Sequence, residues 1–332
     1  MRPSLPRTRL RALLSVLVFG LLASGCDGET PEAAEPAPLP VTLPAEPLPE
    51  AEDPETPARA HQRNLVFLSR DADSTMVVPW TFHGVRAGAS EVRGRGVWLA
   101  RGGGWEQLVQ EADEGGAHGS GWQILPGPGV GLVVGPEGGL QSLRLRDAPP
   151  ELRTRVGILL ADWSAASRET VRFHQAVTEL DGEEVAGFLL DQGSITESGQ
   201  QPRGDWIFLH GGDVFQGFFQ AVTPARAEDP VLPTWMGWTR IAVRERRWSA
   251  LEVVWDEMRA FEDARRDIPT RWELRSPEGE LEVTLESVGS YLEAGAGEGA
   301  LLPVDAFFTV RGEARFEGDT VAVHGVVRHR QP

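Results

Sequence analysis

The chain has 332 residues and a formal net charge of −17 at pH 7. All 32 of its basic residues are arginines, which excludes catalysis by a Schiff-base lysine or a phosphate-loop lysine. Cys26 is the single cysteine, so an internal disulfide and a zinc site with two or more cysteine ligands are also excluded. Because an acidic protein is poorly suited to polyanions, no nucleic-acid partner is expected.

The first 25 residues have the organisation of a secretory signal. Arginines occupy positions 2, 7, 9 and 11, residues 12–22 are mostly apolar, and small residues precede Cys26 in the run Leu22-Ala23-Ser24-Gly25-Cys26. The apolar run is shorter than the about 20 residues that a membrane-spanning helix requires. Residues 1–26 resemble a bacterial lipoprotein signal with its lipobox. This resemblance implies that Cys26 becomes a lipidated N-terminus and anchors the chain in a bacterial cell-envelope membrane, facing the periplasm or the exterior.

Residues 26–59 are predicted to form a disordered tether. The segment alternates proline with glutamate and aspartate over most of its length and has a basic residue only at its end, at Arg59. Such a composition cannot bury enough apolar surface to fold, and proline with like charges keeps it extended. The folded part is therefore expected to begin near residue 60, with a first β domain or half-barrel over 60–150 and a second β domain over 151–332.

The remaining residues indicate short antiparallel strands joined by tight turns. Residues 97–101, three glycines and residues 105–109 predict one hairpin, and residues 171–177, Asp181-Gly182 and residues 185–190 predict another. Further hairpins are predicted around residues 276–279 and 317–319. The predicted fold is mainly β, with lipocalin-like antiparallel barrels or a sandwich and at most one or two short helices.

Residues 249–266 fit two structures. Leu251, Val254, Trp255, Met258 and Phe261 recur at helical spacing, whereas Leu251, Val253 and Trp255 would share one face of a strand. The strand is slightly favoured, because the segment follows a turn-like Arg-Glu-Arg-Arg sequence after an evident strand.

Two candidate chemistries, serine hydrolysis and a histidine metal site, have little support in the sequence. The run from Ile207 to Asp213 contains the His-Gly-Gly of lipase oxyanion loops, but no G-x-S-x-G nucleophile motif follows it. Of the seven histidines, none forms an H-x-x-x-H pair, and His324 and His329 would face opposite sides of one strand. No catalytic residue, metal site or cofactor is therefore predicted.

Ligand-binding candidates come from aromatic and polar residues of the second half. Trp206, Trp238 and Trp255 offer apolar surface, and His210 and Asp213 follow a strand. Arg259 belongs to a charged cluster over residues 259–267. This cluster is either an exposed ion-pair face, which is favoured, or a barrel mouth that grips the polar end of a ligand.

Residues 150–330 resemble the second half of two-domain lipocalin-like proteins that include the carotenoid hydratases. The resemblance rests on the order of hairpins, on Trp255 and Trp272 flanking a charged loop, and on a closing hairpin that ends at Gly325-Val326-Val327. It implies tandem β barrels with apolar cavities. No catalytic residue carries over from the family, and Tyr291 is the chain's one tyrosine.

Three functions follow from these expectations. The favoured one is non-enzymatic binding of an apolar or amphipathic small molecule at the cell envelope, in an apolar pocket of the second half. The second is a ligand-free scaffold or envelope-assembly lipoprotein, and the third is a lipocalin-like hydratase or isomerase acting on an isoprenoid. The sequence leaves the ligand and the oligomeric state open.

Overall fold

The computed structural model describes residues 59–72, 75–87, 90–116, 129–135, 139–146, 149–164, 169–196, 204–222 and 234–331. The predicted signal, Cys26 and nearly all of the predicted tether lie outside these residues. The described chain is all β, which confirms the predicted fold class. No helix suited to crossing a bilayer occurs among the described residues.

The first nine strands form one antiparallel sheet that is curved into a half-barrel, with the order β4-β3-β2-β1-β9-β8-β7-β6-β5. Its strands are β1 (Arg59–Ser69), β2 (Met76–Ala87), β3 (Ser90–Arg101), β4 (Gly104–Gly116), β5 (Val130–Val134), β6 (Leu140–Leu145), β7 (Leu152–Ser164), β8 (Thr170–Leu180) and β9 (Glu183–Thr196).

The last eight strands form a closed antiparallel barrel in chain order, in which β10 also pairs with β17. Its strands are β10 (Trp206–Gly211), β11 (Phe215–Val222), β12 (Thr234–Ile241), β13 (Arg244–Phe261), β14 (Arg266–Arg275), β15 (Leu281–Ala294), β16 (Val304–Phe316) and β17 (Asp319–Gln331).

Strand pairing changes from sheet to barrel between Thr196 and Trp206. The boundary expected after residue 150 instead falls within the sheet, where Pro149 and Pro150 connect β6 to β7. The strands β7 to β9 join the first sheet because β9 pairs with nearly all of β1, from Ala60 opposite Thr196 to Ser69 opposite Gly187. This pairing links residues more than 100 positions apart, and local periodicity carries no information about it.

Strand β1 shows why the two halves pack together. Leu65 and Phe67 belong to the core on one face of the sheet, whereas Val66 and Leu68 belong to a second core on the other face. A strand that is apolar on both faces must be covered on both. The outer face of the barrel covers the second face, and we call this interface the seam.

Strand β10 repeats the pattern from the barrel side. Ile207 and Leu209 lie in the barrel interior, while Trp206 and Phe208 lie in the seam. The barrel interior is filled by a large cluster of apolar side chains that includes Trp272 and Phe308. Three cores therefore result: one in the half-barrel, one in the barrel and one in the seam.

The predicted hairpins are present. Asp181 and Gly182 have φ values of 50° and 84° between β8 and β9, as the aspartate–glycine turn requires. Glu317 and Gly318, with φ values of 49° and 93°, connect β16 to β17. The ambiguous segment from 249 is strand: β13 runs to Phe261, and its outer half is mostly exposed on both faces, which explains the mixed sequence signal.

Two histidines join the halves at one end of the seam. Nε2 of His210 lies 2.7 Å and Nε2 of His324 lies 3.1 Å from the carbonyl oxygen of Ser69, at the end of β1. Nδ1 of His210 accepts the N–H of Gly212, so its Nε2 is the donor to Ser69. Burial, with the neighbouring His324, lowers the pKa of His210 to about 3, and burial also lowers the pKa of His324. Both imidazoles are therefore neutral at pH 7.

This histidine pair should make the fold sensitive to acid. An unfolded histidine takes up a proton near pH 6.5, whereas folded His210 does so near pH 3, so the unfolded state binds more protons between these values. The free energy of unfolding should fall as the pH decreases from 6.5 towards 3, by up to about 1.4 kcal/mol per pH unit for His210. His324 adds to the decrease below pH 6.5, because its pKa is also lowered. Urea titrations at successive pH values measure this slope.

The variant His210→Gln, His324→Gln supplies the comparison. Glutamine keeps an N–H donor near Ser69 but does not titrate, so the slope should decrease relative to the original protein. The difference between the two proteins at pH 8 reports the packing change alone. A slope that is the same in both proteins would contradict the prediction that His210 and His324 cause the sensitivity to acid.

Candidate functional site

A polar cavity of about 310 Å³ lies in the seam, at the end away from the histidine pair. We call it the seam cavity. Its sheet side is lined by Gln62, Asn64, Thr81, Phe82, His83, Gly94, Arg95, Gly96, Trp98, Gln110, Glu111 and Ala112, and its barrel side by Glu293, Asp305, Arg328 and Arg330. Its volume is within the range of small-molecule sites.

Two glycines shape the sheet wall. The ring of His83 lies where a Cβ of Gly94 would be, and the ring of Trp98 lies where a Cβ of Gly96 would be. Because glycine has no Cβ, both rings can lie flat against the backbone of β3, and the wall stays recessed. The sequence Arg93-Gly94-Arg95-Gly96 therefore sets the shape of the cavity.

The barrel wall is an ion-pair network. Arg328 binds Asp305 through two parallel hydrogen bonds, with Nε–Oδ1 at 3.0 Å and Nη2–Oδ2 at 2.7 Å, and Nε of Arg330 lies 3.3 Å from the same carboxylate. The side chain of Arg328 is 9% exposed and that of Asp305 is 28% exposed. A bidentate arginine pair of this kind holds its geometry firmly.

These charges set the protonation states around the cavity. Burial, with the guanidinium groups of Arg328 and Arg330, lowers the pKa of His83 to about 4, so this imidazole is neutral at pH 7. Burial disfavours ionisation of Asp305, but Arg328 outweighs it and holds the pKa of the carboxyl group below its usual value. Burial and the neighbouring Arg328 lower the pKa of Arg330.

The cavity also offers hydrogen-bonding and aromatic groups. Asn64 is 1% exposed and donates through Nδ2 to Oε1 of Gln192 at 2.7 Å, but its Oδ1 has no partner among the described residues. The Trp98 ring packs against Phe307, with 4.8 Å between ring centroids, and Arg328 lies over the other ring at 5.2 Å. A buried acceptor without a partner beside an aromatic wall fits a ligand with both polar and apolar parts.

Edge strand β4 closes one side of the seam by binding β15. The hydroxyl of Tyr291 donates to Oε1 of Gln107, and Nε2 of Gln110 donates to Oε1 of Glu293 at 3.2 Å. Burial and the nearby Glu293 raise the pKa of Tyr291. The one tyrosine thus has a structural partner at the rim.

Three of the ligand-binding candidates from the sequence lie in the seam, outside the cavity lining. Trp206 and Trp238 are 1% and 2% exposed and belong to the seam core, where Phe218 stacks on Trp238 at 5.8 Å. His210 belongs to the histidine pair that holds Ser69.

The other three candidates are partly exposed to solvent. Asp213 forms an exposed ion pair with Arg70. Trp255 and Arg259 lie on the outer part of β13, where Trp255 is 42% exposed and Arg259 donates to Oγ of Ser290 at 3.1 Å. The structure therefore does not bring the six candidates together around one cavity.

The residues that do line the cavity were not selected from the sequence. Asp305, Arg328 and Arg330 are surface-type residues near strand ends, and His83 was one of seven scattered histidines. The one local signal was the alternation of Arg93-Gly94-Arg95-Gly96, since glycine within a strand often marks a close approach of another group. An apolar pocket was expected inside the second half; among the described residues the barrel interior holds an apolar core, and the polar cavity lies in the seam.

Comparisons with known proteins establish the fold. No protein-family profile and no curated protein matches the chain. Kievitone hydratase from Nectria haematococca is similar in structure, with a TM-score of 0.51, 14% sequence identity, and coverage of 84% of this chain and 90% of the hydratase. A protein described as AttH from Nitrosomonas europaea has a TM-score of 0.52 and 11% identity, with 87% and 98% covered. CghA, solved with Sch210972, has a TM-score of 0.47 and 13% identity, with 82% and 88% covered.

At these identities the first two similarities establish a shared fold only. They confirm the lipocalin-like architecture that the sequence predicted. Within the described residues, no group of three or more His, Cys, Asp or Glu side chains is arranged to hold a metal ion.

Removing the carboxylate of the network should destabilise the protein. Asp305→Asn would leave the Arg328 and Arg330 guanidinium groups close together in the seam without the carboxylate that binds both of them. We expect the free energy of unfolding to decrease by about 3 kcal/mol, measured by urea denaturation at pH 7.

Glu313→Gln on the same strand is the matched control. It removes a carboxylate from an exposed pair with Arg315, so its effect should be less than about 1 kcal/mol. Equal effects of the two substitutions would show that the seam network contributes no more than a surface ion pair.

Proposed function

We propose that the protein binds an amphipathic small molecule in the seam cavity without transforming it, and that it does so at a bacterial cell envelope, held there by lipid on Cys26. The observation that supports binding is the seam cavity itself, where the buried Oδ1 of Asn64 has no partner within the described part of the chain and Trp98 supplies an aromatic wall. A ligand hydroxyl or N–H group would satisfy Asn64, and an apolar part would contact Trp98.

The charge balance of the cavity favours an uncharged ligand. Arg328 and Arg330 face the carboxylates of Asp305 and Glu293, and the imidazole of His83 is neutral at pH 7. A charged ligand would have to displace one member of an existing pair, which costs free energy. A neutral molecule with several hydrogen-bonding groups on one side leaves the network intact.

A hydratase or isomerase acting on an isoprenoid is the second candidate, supported by the fold shared with kievitone hydratase and by an imidazole in the cavity. The lowered pKa of that imidazole favours binding over catalysis. An efficient general base has a pKa near the working pH, whereas that of His83 is lowered to about 4, so it holds a proton weakly at pH 7. Binding is therefore the better-supported proposal.

Native mass spectrometry of the protein purified from its host tests the binding proposal. The original protein should carry a mass increment that organic solvent removes, and Gly96→Ala should reduce the occupied fraction at least several-fold. The reason is that the added Cβ must displace the Trp98 ring from the cavity wall.

Gly139→Ala is the control, since its Cβ would meet no atom within 4 Å and the residue lies outside the cavity. An empty protein in every preparation, or equal occupancy in both variants, would contradict the proposal. A bound species accompanied by a second one heavier by one water molecule would favour the hydratase.

The proposed anchor has its own test. Cys26→Ser removes the sulfur that would carry the lipid, so labelling with radioactive palmitate should be abolished and the protein should leave the membrane fraction. Labelling and fractionation that do not change in the variant would exclude lipid attachment at this residue, whatever the result for the seam cavity.

A further inference from the structure

A histidine–aspartate pair lies inside one end of the barrel, on the face of β17 that points away from the seam. Nδ1 of His329 is 2.9 Å from Oδ2 of Asp205, and Oδ1 of Asp205 accepts the backbone N–H of Arg330 at 2.6 Å. His329 is 1% exposed, and its partner across the strands is Ala306 in the barrel core. The carboxylate thus fixes the position and the tautomer of a buried imidazole.

The second nitrogen of this imidazole, Nε2, makes no hydrogen bond to any residue that the structure describes. Because the carboxylate accepts a hydrogen bond, Nδ1 carries the hydrogen, and in the neutral ring Nε2 presents a lone pair. Nε2 of His329 is buried and has no partner among the described residues. A buried acceptor in this state gains free energy when a donor reaches it.

The barrel wall is interrupted next to this group. Strand β14 pairs with β15 only from Arg271 opposite Glu286 to Arg275 opposite Glu282, so residues 266–270 of β14 are not paired with β15. Strand β13 has a bulge between Trp255 and Glu257. Bulges and unpaired strand ends of this kind are frequent at the rims of ligand-binding barrels.

Trp255 covers the interruption. It is paired with Trp272, a member of the barrel core, so it faces the interior, and its ring is perpendicular to that of His329 at 5.0 Å. It is nevertheless 42% exposed, so it separates His329 from solvent. The hydrogen bond from Arg259 to Ser290 spans the same opening between β13 and β15.

We call the end of the barrel around His329 and Trp255 the barrel mouth. We infer that the barrel mouth is a second binding site, for a phenol or alcohol with a compact apolar body. The ligand hydroxyl donates to Nε2 of His329, and the apolar body takes the place of the Trp255 ring, which swings outward. The site is spatially separate from the seam cavity because His329 and Arg328 point to opposite faces of β17. A metal ion fits less well, since no third histidine, cysteine or carboxylate joins this pair within the described chain.

Histidine nitrogen NMR of the full-length protein tests the inference, with phenol and toluene as a matched pair of probes. Phenol should shift the Nε2 resonance of His329 in a saturable way, and toluene, which lacks the hydroxyl, should bind about tenfold more weakly. His329→Phe both assigns the resonance and should remove the difference between the probes, because phenylalanine offers no acceptor.

Soaking crystals of the original protein with 4-bromophenol gives a second measurement that does not depend on the folding of the variant. Anomalous density for bromine at Trp255 supports the site. Equal affinities for phenol and toluene, a shift of the His83 resonance without one of His329, or bromine found only in the seam would overturn it. Each of these results leaves the seam cavity to be judged separately by its own mass-spectrometric test.

Discussion

The structure depends on the covering of a sheet that is apolar on both faces. Val66 and Leu68 of β1, with Phe188 and Leu190 of β9, would face water if the half-barrel stood alone. Burial of each such side chain contributes about 1.5–3 kcal/mol, which gives the seam a large share of the stabilising free energy. The outer face of the barrel carries the matching apolar side chains, including Phe307 and Val326, so neither half has a solvated alternative for these residues.

The chemistry of the seam changes along the strands that form it. On β17 the seam-facing side chains run from His324 through Val326 to Arg328 and Arg330, while on β1 they run from the carbonyl of Ser69 through Leu68 and Val66 to Asn64 and Gln62. Neutral histidines hold one end, apolar side chains fill the middle, and charges and amides surround a cavity at the other end. The cavity lies where apolar packing ends. Buried charged and amide groups need hydrogen-bonding partners, and the apolar side chains of the middle cannot supply them.

Sequence patterns predicted where the strands lie well, but they predicted poorly which strands pair with one another. Alternation and aspartate–glycine or glutamate–glycine turns place the hairpins β8–β9 and β16–β17, because these signals are local. The same patterns placed β7 to β9 in the second domain, because pairing between β1 and β9 joins distant parts of the chain. Alternation did place His324 and His329 on opposite faces of one strand, and the structure confirms this with one in the seam and one in the barrel. Their hydrogen-bond partners, Ser69 for His324 and Asp205 for His329, lie far away in sequence and leave no local signal.

The last residues of β17 connect the two sites. Because side chains alternate between the faces of a strand, Arg328 and Arg330 reach the seam cavity while His329, between them, reaches the barrel interior. Asp205 links both sides, since one carboxylate accepts hydrogen bonds from Nδ1 of His329 and from the backbone of Arg330. This short segment therefore places the proposed barrel-mouth site and the ion-pair network of the seam in one hydrogen-bonded group, in which Asp205 holds the imidazole of His329 and the backbone of Arg330.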